Sequence, residues 1–233
     1  MARSRPTRRP TKTDCLDFLR DQNVPVRTVI DVGVQSCTPE LLHAFPGRPH
    51  LLVEPVAEFH DDIARNYKNT PHEIIGAALS RENGRAAMRL RSAAPGGPIT
   101  HAHLDEQADD GPSHRTVEVR TLDAVCAERD LAKPYLLKID VDGAEERVLD
   151  GAGNTLPDCS VVIMEVTFRD IPWRLNRVTR AGFTLFDIVD LAYYDGRWVQ
   201  ADLVFINNRI EGKHNLDPYS GGFDLSKWEI HRG

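Results

Sequence analysis

Cysteine is sparse and unpaired in this chain. Cys15, Cys37, Cys126 and Cys159 are spread over 233 residues, and no two form a Cys-x-x-Cys pair. A zinc ribbon or disulfide scaffold lacks its ligands, and reduced thiols in a cytoplasmic protein are the expectation. No apolar run nears the ~20 residues that cross a bilayer. Basic charge is not in excess. The formal net charge is −6, whereas phosphate backbones demand a basic face, so no nucleic acid partner is expected. Glycine is missing where a nicotinamide fold needs it: only Gly33 follows the first apolar run, in place of the several close amides of Gly-x-Gly-x-x-Gly.

What is present reads as one folded unit. A chain of this length buries a substantial core. Its 41% hydrophobic and 27% charged residues suit a water-soluble globule. "MARSRPTRRPTKTD" (residues 1–14) is basic and proline-rich and is expected to be a disordered tail. Residues 15–209 are expected to form the domain, with 210–233 an extension packing on or near it.

Strands and helices alternate. "TVIDVGV", "HLLVEP", "EIIGAALS", "YLLKID" and "SVVIMEV" are β-branched, apolar runs that predict buried strands. Between them, Thr38-Pro39-Glu40 predicts a helix start, and Val56, Phe59, Ile63 and Tyr67 recur at helical spacing. "AAMRLRS" and "RTVEVR" predict two more strands, and Thr121 is placed to cap a helix. Residues 93–114 show no period and predict a long loop, of the kind that serves as a lid or binding loop. Asp195-Gly196 predicts a hairpin turn near the end of the domain. The expected fold class is α/β: a doubly wound, mostly parallel sheet of Rossmann-like kind, closed by a C-terminal antiparallel hairpin.

Ligands of such sheets bind at the carboxyl ends of the strands, so the residues there matter most. Gly33 and Asp31 end the first strand. Glu54 ends the second, at the spacing where an acid meets a ribose hydroxyl. A nucleoside cofactor without a pyrophosphate fits this set. In "YLLKIDVDGAEERVLDGA" (residues 135–152), Lys138, Asp140 and Asp142 alternate along an extended strand and so share one face. Asp142 is expected to cap the following helix, with Glu145 and Glu146 in its first turn. Lys138 and Asp140 serve no local need. They either pair with each other or with Glu165 in a buried network, or face the site.

"LLKIDVDGAEERVLDGA" closely resembles the hallmark segment of the FkbM family of S-adenosylmethionine-dependent methyltransferases. "VIDVG", "VEP", "AALS" and "VRTLDAV" stand upstream in the family's order, so the resemblance covers about residues 29–207. It implies a class I methyltransferase fold. It implies methyl transfer to a hydroxyl of a sugar, glycoside or secondary metabolite, with S-adenosyl-L-methionine over Asp31, Gly33, Gln35, Glu54 and Ser80. Asp140 would then sit beside the methyl donor. The first loop departs from the family pattern: Gln35 stands for an asparagine, and Cys37 for a glycine whose absence narrows the cleft.

For the chemistry, Asp140 and Glu165 end neighbouring strands. Either one acts as general base with Lys138 orienting a carboxylate, or the two hold Mg²⁺ with substrate hydroxyls. His101 and His103 are further candidates for base or metal ligand. Trp173, Tyr193, Tyr194 and Trp198 are candidates for stacking on a sugar ring or for core packing. Two rival functions stay open on the residues: an NAD-linked oxidoreductase, and a non-catalytic module that binds the cofactor.

Overall fold

The computed structural model describes residues 8–92, 97, 99, 101–105, 114–214 and 216–228. Helix α1 (Lys12–Asp21) comes first, followed by β1 (Thr28–Val32), α2 (Pro39–Ala44), β2 (His50–Val53), α3 (His60–Asn66) and β3 (His72–Ile75). Four strands then run without an intervening helix: β4 (Ala78–Leu79), β5 (Gly84–Arg91), β6 (His101–Asp105) and β7 (His114–Arg120). The alternation resumes with α4 (Leu122–Ala127), β8 (Tyr135–Ile139), α5 (Glu145–Asp150), β9 (Cys159–Thr167) and α6 (Ile171–Arg180). The hairpin β10 (Phe183–Tyr194) and β11 (Arg197–Asn207) and the short α7 (Asn208–Glu211) complete the order.

The main sheet has seven strands in the order β10-β11-β9-β8-β1-β2-β3. Strands β1, β2, β3, β8 and β9 are parallel, and β11 is antiparallel to both of its neighbours. The expected hairpin therefore forms, but its second strand inserts between β9 and β10. The chain winds outward from β1 to β3 and returns to β8, which creates a switch point between β1 and β8. Both strands are buried along their whole length. Alternate residues feed two cores: Ile30, Val32, Leu137 and Ile139 face one, and Val29, Leu136, Val161 and Ile163 the other. Helix α1 seals the second core with Cys15, Leu16 and Leu19.

Four features depart from the sequence expectations. "EIIGAALS" is not one strand: its first half is β3 of the main sheet, and Ala78–Leu79 joins a second sheet of order β4-β7-β5-β6. The expected loop contains β6, which pairs antiparallel with β5 from Ala87–Asp105 to Arg91–His101. Short polar strands of this kind acquire stability from a partner, so their own sequence signals them weakly. The tail is ordered from residue 8: Arg8 Nη2 lies 2.5 Å from Asp187 Oδ2, and Thr11 caps α1 by accepting from the Asp14 amide. Residues 1–7 lie outside the described residues. Finally, Asp142 does not cap α5; residue 144 holds that position without a side-chain bond.

Candidate active site

A cleft of approximately 410 Å³ opens at the carboxyl ends of β1, β2, β8 and β9. Its floor is the β1 turn. Gly33 has φ +84°, and a Cβ there would lie 1.7 Å from the carbonyl oxygen of Asp140. The glycine is thus demanded by the adjacent strand end as much as by a ligand. The small sheet contributes a wall through Met88, Ala102 and Leu104, together with Ile99 from the segment before β6.

At one end of the cleft, Glu54 is buried and takes two backbone amides: Gln35 N at 2.8 Å from Oε2 and Val56 N at 2.9 Å from Oε1. Burial pushes its carboxyl up, and the two amides oppose that shift. A carboxylate has about four lone-pair positions, so two remain for a vicinal diol. Phe59, Val53, Ala77 and Leu79 supply apolar surface beside it. This set fits the nucleoside of S-adenosylmethionine. Gln35 lines the cleft at φ 51°, a strained conformation for a non-glycine residue, and its amide is spent on Glu54. Cys37 also lines the cleft, packed against the cluster of Val34, Leu52, Ile63 and Tyr67. Burial, with the charges of Asp31 and Glu40, raises its thiol pKa, so it is a space-filling group more than a nucleophile.

At the other end the side chains are charged. Lys138 sits beside Asp31 in the β1–β8 register. Its Nζ lies 3.4 Å from Asp31 Oδ1, 3.2 Å from Asp140 Oδ2 and 3.3 Å from the Gly33 carbonyl. Burial works against its charge, but Asp31 and Asp140 outweigh it and the pKa is raised. Lys138 therefore both pairs with Asp140 and faces the cleft. Glu165 lines the cleft, with Gln200 of β11 donating to its Oε1. Its pKa is pushed up to about 8, by burial first and then by Asp140, Glu145, Asp202 and Asp142. A carboxylate tuned this way is a competent general base near neutrality.

Two assigned cofactor residues fall elsewhere. Asp31 is fully buried under the floor as the partner of Lys138 and is not a lining residue. Ser80 borders a separate depression with Arg81 and Asn83. Asp142 takes φ 51° and is clamped by the small sheet: the Ala102 amide donates to Oδ2 at 3.2 Å, and His103 Nδ1 lies 2.9 Å from its carbonyl oxygen. That contact occupies His103; nothing is described for the side chain of His101. Glu145 does the local work expected of Asp142, accepting from the amides of Val141 and Gly143 while Arg174 of α6 holds its other oxygen at 2.5 Å.

The sequence reading missed Lys12, Glu40 and Gln200, all of which line the cleft. Lys12 is 2.8 Å from Asp202 and 3.6 Å from Asp190, and lay in the presumed tail. The spacing of Leu16 and Leu19 reads as a short helix from Cys15 to Arg20, and the Thr11 cap was the available signal that it starts at Lys12. The magnesium expectation does not fit the residues present. Among the described residues no group of three or more His, Cys, Asp or Glu converges to hold a metal. Magnesium takes six oxygens, and Asp140 and Glu165 are already engaged by Lys138 and Gln200.

Comparison with known proteins decides the family. The profile of the Methyltransferase FkbM domain matches residues 26–189. The chain belongs to the FkbM methyltransferase family. A nicotinamide-linked oxidoreductase is thereby set aside. Solved structures similar to this FkbM chain include a Pyrococcus horikoshii protein described as an RNA methyltransferase (11% identity, 84% of this chain and 83% of that one, TM-score 0.46). Another is a Streptococcus pneumoniae protein described as a tRNA methyltransferase, in complex with S-adenosyl-L-methionine (13%, 83% and 72%, 0.45). A third is the METTL16 methyltransferase domain (12%, 88% and 70%, 0.49). Likeness at this level carries no argument about the acceptor. No curated protein matches. Among the described residues no helix is long and apolar enough to cross a membrane.

Proposed function

We propose that this methyltransferase transfers a methyl group from S-adenosylmethionine to a hydroxyl of a sugar, glycoside or secondary metabolite, with Glu165 as the general base. The observation that carries the reading is the division of the cleft. Glu54, fixed by two amides, stands at one end, and Glu165, with a pKa near 8, stands at the other. The cofactor supplies a methyl group already activated for displacement. The chain's task is to align a hydroxyl and to remove its proton. In this reading Glu54 holds the ribose hydroxyls, and the backbone of Gly33 and Gln35 borders the cofactor. Glu165 takes the acceptor proton, oriented by Gln200. Lys138 holds Asp140 in place, and the carboxylates around it favour the cationic end of the cofactor.

Calorimetric titration with S-adenosylhomocysteine tests the first half. Micromolar binding is expected, lost in Glu54→Ala. A panel of hydroxylated glycosides, assayed for methylated product with wild type and Glu165→Gln, tests the second. Tight cofactor binding with no product from any hydroxyl acceptor would favour the non-catalytic module. Product formed at an amine instead would move the reaction to N-methylation.

A further inference from the structure

Beyond Gln200, at the edge of the cleft, lies a rim of exposed residues that the proposed chemistry leaves unused. Strand β9 and strand β10 both end at the cleft side of the sheet, and β11 begins there. Gln200, a lining residue, pairs with Thr167 on one side and Ala192 on the other. Just past these partners come Phe168, in the turn directly after β9, Tyr193 and Tyr194 on β10, and Arg197 on β11. At ~3.3 Å per strand residue they lie within roughly 10 Å of Gln200 along the strands. The Phe168 amide donates to the Val199 carbonyl at 3.2 Å, which ties the rim to the cleft wall.

The rim has a distinct chemistry. Phe168 is 37% exposed, Tyr193 63% and Tyr194 77%. The guanidinium carbons of Arg169 and Arg197 lie 5.1 Å and 4.8 Å from the Phe168 ring centroid. Both arginines are exposed, and among the described residues neither has a carboxylate partner. In a chain of net charge −6, beside an acidic cleft end, this is a local reversal of sign. Two unpaired guanidiniums held at one ring present donors to a planar anion, and Tyr194, opposite Arg197 in the register, offers a face to a ring.

We propose that this rim binds the distal part of the acceptor, and that the acceptor is a glycoside bearing an anionic group, a carboxylate or a phosphate, one ring away from the methylated hydroxyl. The inference rests on the O-methyl transfer reading for its choice of ligand, but its test reads binding alone. A nucleic acid is disfavoured at this rim because, among the described residues, it offers a single pair of arginines rather than a stripe.

The probes are methyl β-glucuronide, glucose 1-phosphate and neutral methyl β-glucoside, each titrated by calorimetry into protein saturated with S-adenosylhomocysteine. At low salt one or both anionic probes bind at least about tenfold more tightly than the glucoside, and the stronger of the two identifies the anion. The preference disappears in Arg169→Ser/Arg197→Ser, while S-adenosylhomocysteine affinity is unchanged. Phe168→Ala, which removes the platform and keeps the charges, weakens all sugar binding. Equal affinity for charged and neutral probes, a preference that survives in the double variant, or no binding of either anionic probe at millimolar concentration overturns the proposal. So does a single-stranded oligonucleotide that binds where the glycosides do not. If the rim behaves as expected and no methylated product is found, the reaction assigned above fails and the rim stands.

Discussion

The two ends of the cleft are built by different means. At the end proposed for the cofactor, Glu54 is held by the backbone of its own neighbourhood, the amides of Gln35 and Val56. At the end proposed for the acceptor, side chains hold side chains, mostly across elements far apart in sequence: Lys138 with Asp31 and with nearby Asp140, Gln200 with Glu165, Lys12 with Asp202. Apart from a change to proline, substitution leaves a backbone amide in place. Side-chain charges can be lost, and each loss leaves a buried partner exposed to the low-dielectric interior. The first end is therefore suited to a constant ligand and the second to one that differs between related enzymes.

The largest effect that would break this contrast is at Lys138. Lys138→Met leaves Asp31 buried without its cation and should cost about 3–5 kcal/mol of stability, measured by urea unfolding. Little change would mean that the acceptor end tolerates loss of charge as readily as the cofactor end. Next comes Glu165→Gln, expected to lower turnover about a hundredfold or more with S-adenosylhomocysteine affinity intact. Its pH dependence sharpens the assignment. Glu165 keeps its proton up to about pH 8, so the wild-type rate should climb toward that value and level off above it. The folded state also binds a proton that the unfolded chain has released above its ordinary pKa of 4.5. Stability from this group is thus present at low pH and lost as pH rises toward about 8. Glu165→Gln should flatten that part of a thermal-unfolding profile, and an unchanged slope would remove Glu165 from its place in the charged cluster.

Smaller effects probe the other end. Glu54→Gln keeps the shape, but its single oxygen accepts from only one of the two amides and without charge, and it should weaken S-adenosylhomocysteine binding about tenfold. Cys37→Gly removes a side chain from the cleft wall without touching the Glu54 bonds. It should change cofactor affinity by no more than about threefold, as for a small packing change at a partly buried site. A larger gain would mean that Cys37 crowds the cofactor.

The surroundings of Glu54 were legible in the chain because their parts are local. A buried strand, a turn glycine and an acid one strand later can be read along the sequence, and Thr121 capped its helix as the residue type suggested. Reading failed where a residue's role depends on a distant neighbour. Asp142 had the composition of a helix cap, yet the small sheet claimed it, and Glu145 took over the nearby amides. Ser80 follows a family segment but borders a separate depression, where its amide joins the Arg120 carbonyl beside the second sheet. Lys12 looked like part of a charged tail until α1 packed Cys15, Leu16 and Leu19 into the core and carried it to the cleft.

By itself the sequence determined the class of the protein: hydrophobic periodicity set the parallel sheet, and the segment around Lys138 to Ala152 set the family. Those properties depend on neighbours a few positions apart, where pattern and propensity act directly. Only the tertiary structure decided how the acceptor end is charged, that β11 brings Gln200 to Glu165, and that β6 walls the cleft. Such arrangements arise from long-range strand pairing and the pairing of buried charges, whose energies exist only once distant segments have met.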